Sequence, residues 1–442
     1  MKVGILGAGL TGLTLASKLD HDFEILEKSD ACGGLCRSIQ DRGYTFDVGG
    51  GHIIFSKEKD ILDFMTAAVK NGVVSNRRNT KILYKNRYVK YPFENGLGDL
   101  PEDESFECLI NFLTAVQAMK AGRQPKPANF EEWMYRTFGK GITEKYLIPY
   151  NSKVWNFPPG KMAADWVADR IPQPPAEDVI RSFLKMETEG YTHQLNFFYP
   201  RAGGIQSVTD TLSSGISGKI RCNTNISKVE KKGKWRVHHD GTVDEYDALV
   251  STIPVMELLE CLEGVPKDVM EAAKGLKFNS LINVLLGVDK PKMNDFHWVY
   301  IPEEDVDFNR LIFLSNYAPD MAPKGKSSVA VELTCRFGDD IWSKSDDAIL
   351  KEIIEGLERK GVMKASEVCY SKVMRSKYAY VIYDLDYNRN IKTVMDFLAS
   401  REIELCGRFS EFKYMNMDAC IMSAMRMAKK LNGERNLNRA FL

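Results

Sequence analysis

The chain has no excess of either charge: Lys plus Arg and Asp plus Glu each number 60, so the formal balance is zero. That excludes a global field drawing in nucleic acid or an anionic membrane, and any anionic ligand must be held by a few local cations. No window of about 18 uncharged apolar residues occurs, so no bilayer-spanning helix is expected. Repeats and low-complexity linkers are also missing. Nine cysteines, an odd number, are scattered at long intervals, which does not build a disulfide framework. The one close pair, Cys32 and Cys36, has no histidine or second cysteine pair beside it, so no metal site is expected. Met1-Lys2 runs straight into strand-like Val3-Gly4-Ile5-Leu6 without the pattern of a secretory leader. A reducing cytoplasm is the expected compartment.

What is present has the balance of a globular enzyme, 44% hydrophobic and 27% charged. A chain of 442 residues is too long for one ordinary core, so two or three units are expected. Residues 2–60 alternate strand, helix and strand, an α/β opening. Between 102 and 190 apolar residues recur at helical spacing, as in 106–116. Strand patterns return at 195–199, 234–238 and 248–252, and again at 280–287 and 311–314. A short strand at 403–406 and a helix over 418–431 resume the α/β pattern at the end. The spacing predicts a nucleotide-binding domain in three pieces, 1–95, 193–254 and 376–442, with a helical substrate domain at 96–192 and a β-sheet substrate domain at 255–375.

Gly7-Ala8-Gly9-Leu10-Thr11-Gly12 follows the first strand and opens a helix expected over 13–19. Gly7 allows the tight turn, Gly9 lets a phosphate approach the backbone, and Gly12 lets helix and strand pack closely. The helix start, with Leu10 and Thr11, presents N–H groups to a pyrophosphate. A second strand ends at Glu27, placed to accept hydrogen bonds from an adenosine ribose, with Lys28 next to it. This order of elements admits NAD or FAD. Gly33-Gly34-Leu35-Cys36-Arg37 resembles the second loop of the flavin amine oxidase group, and Gly407-Arg408 with Asn416-Met417-Asp418 resembles that group's closing motif. FAD is the cofactor these segments imply. The fold class is α/β: a Rossmann-type FAD-binding domain with a helical insertion and a mainly antiparallel β-sheet domain.

Four further segments resemble the UDP-galactopyranose mutases, closest to the eukaryotic type. They are Asp47-Val-Gly-Gly50-Gly-His52-Ile-Ile-Phe55, Val89-Lys-Tyr91-Pro-Phe-Glu94-Asn95, Pro149-Tyr-Asn151-Ser-Lys-Val-Trp155 followed by Arg170, and Trp298-Val-Tyr300-Ile-Pro302 continuing to Arg310 and Tyr317. The resemblance implies interconversion of UDP-galactopyranose and UDP-galactofuranose through a bond between reduced flavin N5 and the sugar, without net redox change. It places Gly50 and His52 beside the flavin and Arg408 close to it, and makes Arg170 and Arg310 the grips on the diphosphate. Arginine suits that task because its planar donors match phosphate oxygens and stay charged. Tyr317, Tyr380 and Tyr414 add hydroxyl donors, and Tyr91, Tyr146, Asn151, Trp155, Trp298 and Tyr300 complete the implied substrate site. NADPH or NADH is the implied reductant, a UDP-sugar the implied substrate, and assembly of identical subunits is left open.

The chain departs from that family in places. Tyr380 is followed by Val381-Ile382 where the family carries proline, with Tyr378 and Tyr383 as nearby competitors, and Glu94 replaces a glutamine. His238-His239 reads as a solvated face and the methionines near the C-terminus as helix packing. Two other functions use the same scaffold: an oxidase or desaturase of the amine oxidase or protoporphyrinogen oxidase kind, and a flavin-free GDP-dissociation-inhibitor-like binding protein. The first has no use for Arg170 and Arg310, and the second none for the glycine fingerprint, Glu27 and Arg408.

Overall fold

The computed structural model describes residues 1–122, 125–167, 171, 173–188 and 194–433. Five parallel strands form one sheet in the order Glu404–Leu405, Ala248–Ser251, Lys2–Leu6, Asp22–Leu26, Ile220–Arg221. Lys2–Leu6 lies at its centre because Val3, Ile5 and Leu6 are wholly buried, the near-continuous apolar run of a strand covered on both faces. The helix Leu10–Ala16 packs on Met417–Leu431, whose buried Met417, Cys420, Ile421, Ala424 and Ala428 recur at three- and four-residue steps. Met422, Met425 and Met427 pack partly buried against the same core. The first helix begins at Leu10 rather than at residue 13, because extended Gly9 is itself the N-cap. Gly12 therefore sits inside the helix, against the strand.

A second sheet has seven strands, ordered Val368–Ile382, Lys277–Val288, Ser327–Cys335, Arg310–Ile312, Trp298–Tyr300, Thr80–Tyr84, Arg87–Lys90. All neighbours are antiparallel except Trp298–Tyr300 against Thr80–Tyr84. The hairpin Thr80–Lys90 thus joins this sheet although it falls within the segment 1–95, and Val368–Ile382 runs across the 375/376 boundary. Burial explains the hairpin's place: Ile82, Leu83 and Val89 are each at most 1% exposed.

The helical insertion contains Glu102–Lys120, Phe130–Ile142 and Ile148–Trp155. Asn129 Oδ1 accepts from the Glu132 N–H (2.9 Å) while the Glu132 carboxylate accepts from the Ala128 N–H (2.8 Å), a reciprocal cap that starts the second helix. A π-helical turn, Thr143–Leu147, joins the second helix to the third, and its Tyr146 is buried. On the ribbon of Ile226–Lys232, Lys234–His239 and Thr242–Tyr246, His238 is partly exposed but His239 is buried against Asp244, which corrects the solvated reading of the pair.

Candidate active site

A cavity of ≈ 710 Å³ runs from the glycine turn to the seven-stranded sheet. At one end Gly7 has φ +100° and Gly9 has open space where a Cβ would stand, while a Cβ on Gly12 would lie 2.1 Å from the Gly7 carbonyl oxygen. Each glycine is therefore required for a different reason, two by the chain and one by what approaches it. Glu27 is held by two backbone donors, Ala8 N–H and Ser29 N–H, both at 2.8 Å. Lys28 lines the cavity but pairs with Glu257 at 2.7 Å. Gly34, Leu35, Asn416 and Met417 line the same end, Asn416 as the extended N-cap of the last helix. Asp418 does not line it; its carboxylate accepts from the Ala419 N–H.

Midway, His52 Nδ1 lies 3.0 Å from the Gly50 carbonyl, so Nδ1 carries the proton and Nε2 presents a lone pair. Burial, then the neighbouring Arg408 charge, pulls the imidazole down to about 4, so the ring is neutral at physiological pH. Arg408 donates to the Met415 carbonyl (3.2 Å) and the Ala379 carbonyl, and its guanidinium stands 4.9 Å from the Tyr414 ring and 5.2 Å from the Tyr380 ring. Its Nε is buried and, among the described residues, has no partner.

At the far end Arg310 donates through Nε and Nη2 to the two oxygens of Glu332, at 2.6 and 2.8 Å. Nη2 also reaches the Tyr380 hydroxyl at 3.3 Å. Burial alone would lower the Arg310 pKa, but the Glu332 carboxylate overrides it and holds it well above its usual value. Burial pushes the Tyr380 phenol up to about 12 and the buried Tyr317 well above its usual value, so both remain neutral hydroxyls. Of the three competing tyrosines, Tyr380 is the one beside Arg310. Tyr378 instead packs on Phe278 and Phe409, and the Tyr383 hydroxyl accepts from the Tyr414 N–H.

Gly7, Gly9, Leu10, Thr11, Glu27, Gly50, His52, Trp298, Tyr300, Arg310, Tyr317, Tyr380, Arg408 and Tyr414 thus share one cavity. Tyr91, Tyr146, Asn151 and Trp155 stand behind its wall. Tyr91 packs on Tyr300 (5.1 Å between centroids), Tyr300 on Tyr150 (5.0 Å), and Tyr150 on Tyr146 (5.4 Å). Asn151 donates to the Leu147 carbonyl and accepts from Trp155 Nε1, so its amide is used in orienting Trp155. Trp155 in turn sets its edge against Tyr380 and Tyr414. Glu94 is buried beneath Tyr146, with its carboxyl pushed up to about 7 by burial. Arg170 lies outside the described residues. Glu332 was not singled out from the sequence, although a carboxylate inside the apolar run of Ser327–Cys335 signals a buried cationic partner.

The parallel sheet with its glycine turn, joined to an antiparallel sheet across one long cavity, defines a dinucleotide-binding protein of two-sheet architecture. A sequence profile of flavin-containing amine oxidoreductases matches residues 10–432, and the chain belongs to that family. The fold is similar to the crystal structure of a reduced UDP-galactopyranose mutase, with a TM-score of 0.89 and 27% identity over 98% of this chain and 95% of that one. It is also similar to putrescine oxidase bound to putrescine, with a TM-score of 0.67 and 13% identity over 98% of this chain and all of that one, which shows the shared fold alone. A segment of 52 residues is 38% identical to a 4,4'-diapophytoene desaturase of Staphylococcus aureus, covering 11% of this chain and only 10% of that protein.

The family is flavin-containing, and the donor set fits FAD. Open space at Gly9, a fixed carboxylate at Glu27, an Arg408 Nε unpartnered among the described residues and a neutral His52 are what a flavin dinucleotide needs along its length. Among the described residues no helix is long and apolar enough to cross a membrane, and no cluster of His, Cys, Asp or Glu could hold a metal ion.

Proposed function

We propose that this protein is an FAD-dependent UDP-galactopyranose mutase, interconverting UDP-galactopyranose and UDP-galactofuranose in the cytoplasm. The observation that carries the reading is Arg310, set among Tyr317, Tyr380 and Tyr414 in the same cavity as the glycine turn and His52. An oxidase of amines or apolar rings has no task for a cation and three tyrosine hydroxyls at that place. The whole-chain similarity to a reduced UDP-galactopyranose mutase supports the same reading.

Reduced FAD, when bound, supplies the nucleophile that displaces UDP from the anomeric carbon. The chain's own part is to stabilise the departing diphosphate and keep it for recapture. Arg310 supplies the fixed charge, and the Tyr317 and Tyr380 hydroxyls, protonated at neutral pH, supply donors without adding charge. His52 would offer an acceptor nitrogen to the flavin and Arg408 a cation, both lining the same cavity. Behind the wall, Trp155 and the stacked tyrosines fix the rotamers of Tyr380 and Tyr300. Arg170 is proposed as the second phosphate grip. NADPH or NADH is proposed as the reductant; anaerobic NADPH should bleach the flavin absorbance, and an unchanged spectrum removes it from that role.

The deciding experiment is anaerobic incubation of dithionite-reduced protein with UDP-galactofuranose, followed by chromatography. Conversion to UDP-galactopyranose that disappears with oxidised flavin establishes the mutase. A yellow, reducible protein without conversion refutes it and favours the second reading that the family name supports, an oxidase or desaturase.

A further inference from the structure

We infer that Glu332 is a positioning residue that withholds Arg310 from anions, so that it sets how tightly the site grips a diphosphate and how readily it lets go. The inference rests on the UDP-sugar reading above. Arg310 and Glu332 are direct cross-strand partners, and two charge-assisted bonds of 2.6 and 2.8 Å join them. Glu332 is 1% exposed, and its Oε1 also accepts from the Gly51 N–H at 3.2 Å. A Cβ on Gly50 would stand 2.6 Å from that same oxygen. The glycine loop carrying His52 is therefore moulded around the carboxylate.

The pairing has two consequences of opposite sign. A buried guanidinium without a counter-ion is costly, so Glu332 stabilises the ligand-free protein. The same charge repels any phosphate that approaches Arg310 and competes for its donors. A diphosphate thus binds to a neutral pair rather than to a free cation, and the carboxylate is ready to retake the guanidinium when the ligand leaves. A residue that merely held Arg310 in place would weaken binding when neutralised. One that withholds it strengthens binding.

The test uses FAD-loaded wild type and Glu332→Gln, with UDP titrated by calorimetry at several ionic strengths and melting followed with and without UDP. The variant is expected to keep its flavin absorbance, melt lower without UDP, and bind UDP roughly tenfold tighter. Its affinity should fall more steeply with salt, and UDP should raise its melting temperature by more. Should Glu332→Gln not retain FAD, Glu332→Met, neutral and of similar length, is read in the same way. Equal or weaker UDP binding by the neutral variant, while wild type binds UDP, overturns this inference alone. Absence of UDP binding by wild type overturns it together with the mutase reading.

Discussion

Asp47 ends the strand Tyr44–Asp47 and begins the glycine loop that carries His52, and replacing it by asparagine gives a prediction with a definite sign. Its carboxylate is 1% exposed and accepts from Ser38 Oγ (2.7 Å), the Ile205 N–H (3.0 Å) and the Tyr199 hydroxyl (2.8 Å). Burial outweighs these donors and pushes the pKa from an ordinary 3.8 up to about 6. A folded pKa above the unfolded value means that the protonated acid favours the fold. The contribution is fully present below about pH 3.8 and is lost as pH rises through about 6. Between pH 4 and pH 7 the loss is on the order of 2–3 kcal/mol.

Asp47→Asn removes that titration. The amide oxygen can still accept from Ser38 and Ile205, while the Tyr199 hydroxyl must turn from donor to acceptor, which a hydroxyl can do. Losing a charge-assisted bond costs about 1.5–3 kcal/mol, close to what removing the buried charge returns near neutral pH. The variant should therefore melt near wild type at pH 7 and clearly below it at pH 4.5. Thermal melts of the FAD-loaded pair across that range measure the difference curve. Parallel curves, or a wild type that gains on the variant as pH rises, refute the reasoning.

Gly12→Ala places a methyl 2.1 Å from the Gly7 carbonyl oxygen and should yield protein without flavin absorbance. Arg310→Ala should keep FAD and weaken UDP binding by roughly ten- to a hundredfold; unchanged affinity by calorimetry takes Arg310 out of the site. Glu94 is buried with its pKa raised to about 7, so its contribution is lost as pH rises through that value. Glu94→Gln should therefore gain stability over wild type between pH 6 and pH 8, and a fixed difference in melting temperature excludes the burial of a titrating carboxyl.

The readable parts of the molecule are those whose physics is local. The turn at Gly7 and Gly9 and the acid at Glu27 lie within one strand–helix–strand unit, so spacing alone assembles that end of the cavity. The last helix showed itself by its three- and four-residue apolar steps. Where spacing misled, a longer-range contact had decided the matter. The hairpin Thr80–Lys90 joins the second sheet by pairing with Trp298–Tyr300, more than two hundred residues away, which no local pattern discloses. His239 is buried because of the ribbon it belongs to, not because of its neighbours in sequence. Tyr146 and Asn151 do not line the cavity: Tyr146 stacks on Tyr150 and Asn151 accepts from Trp155 Nε1, contacts that no local pattern discloses. Glu332 goes unmarked in the sequence, and only register sets it opposite Arg310.

That pair also answers the question posed by a chain with no net charge. A neutral protein cannot draw in a dianion by its overall field, so affinity has to come from the cavity. An unpaired buried arginine would supply it at the expense of the ligand-free fold. Pairing Arg310 with Glu332 and surrounding it with tyrosines that stay protonated resolves the conflict. The donors are fixed in place and the rest state is neutral, so on the proposed UDP-sugar reading the grip appears only when phosphate oxygens compete for them. An oxidase acting on an apolar ring has no reason to maintain such a balance. An enzyme that must release a diphosphate and take it back within one turnover does.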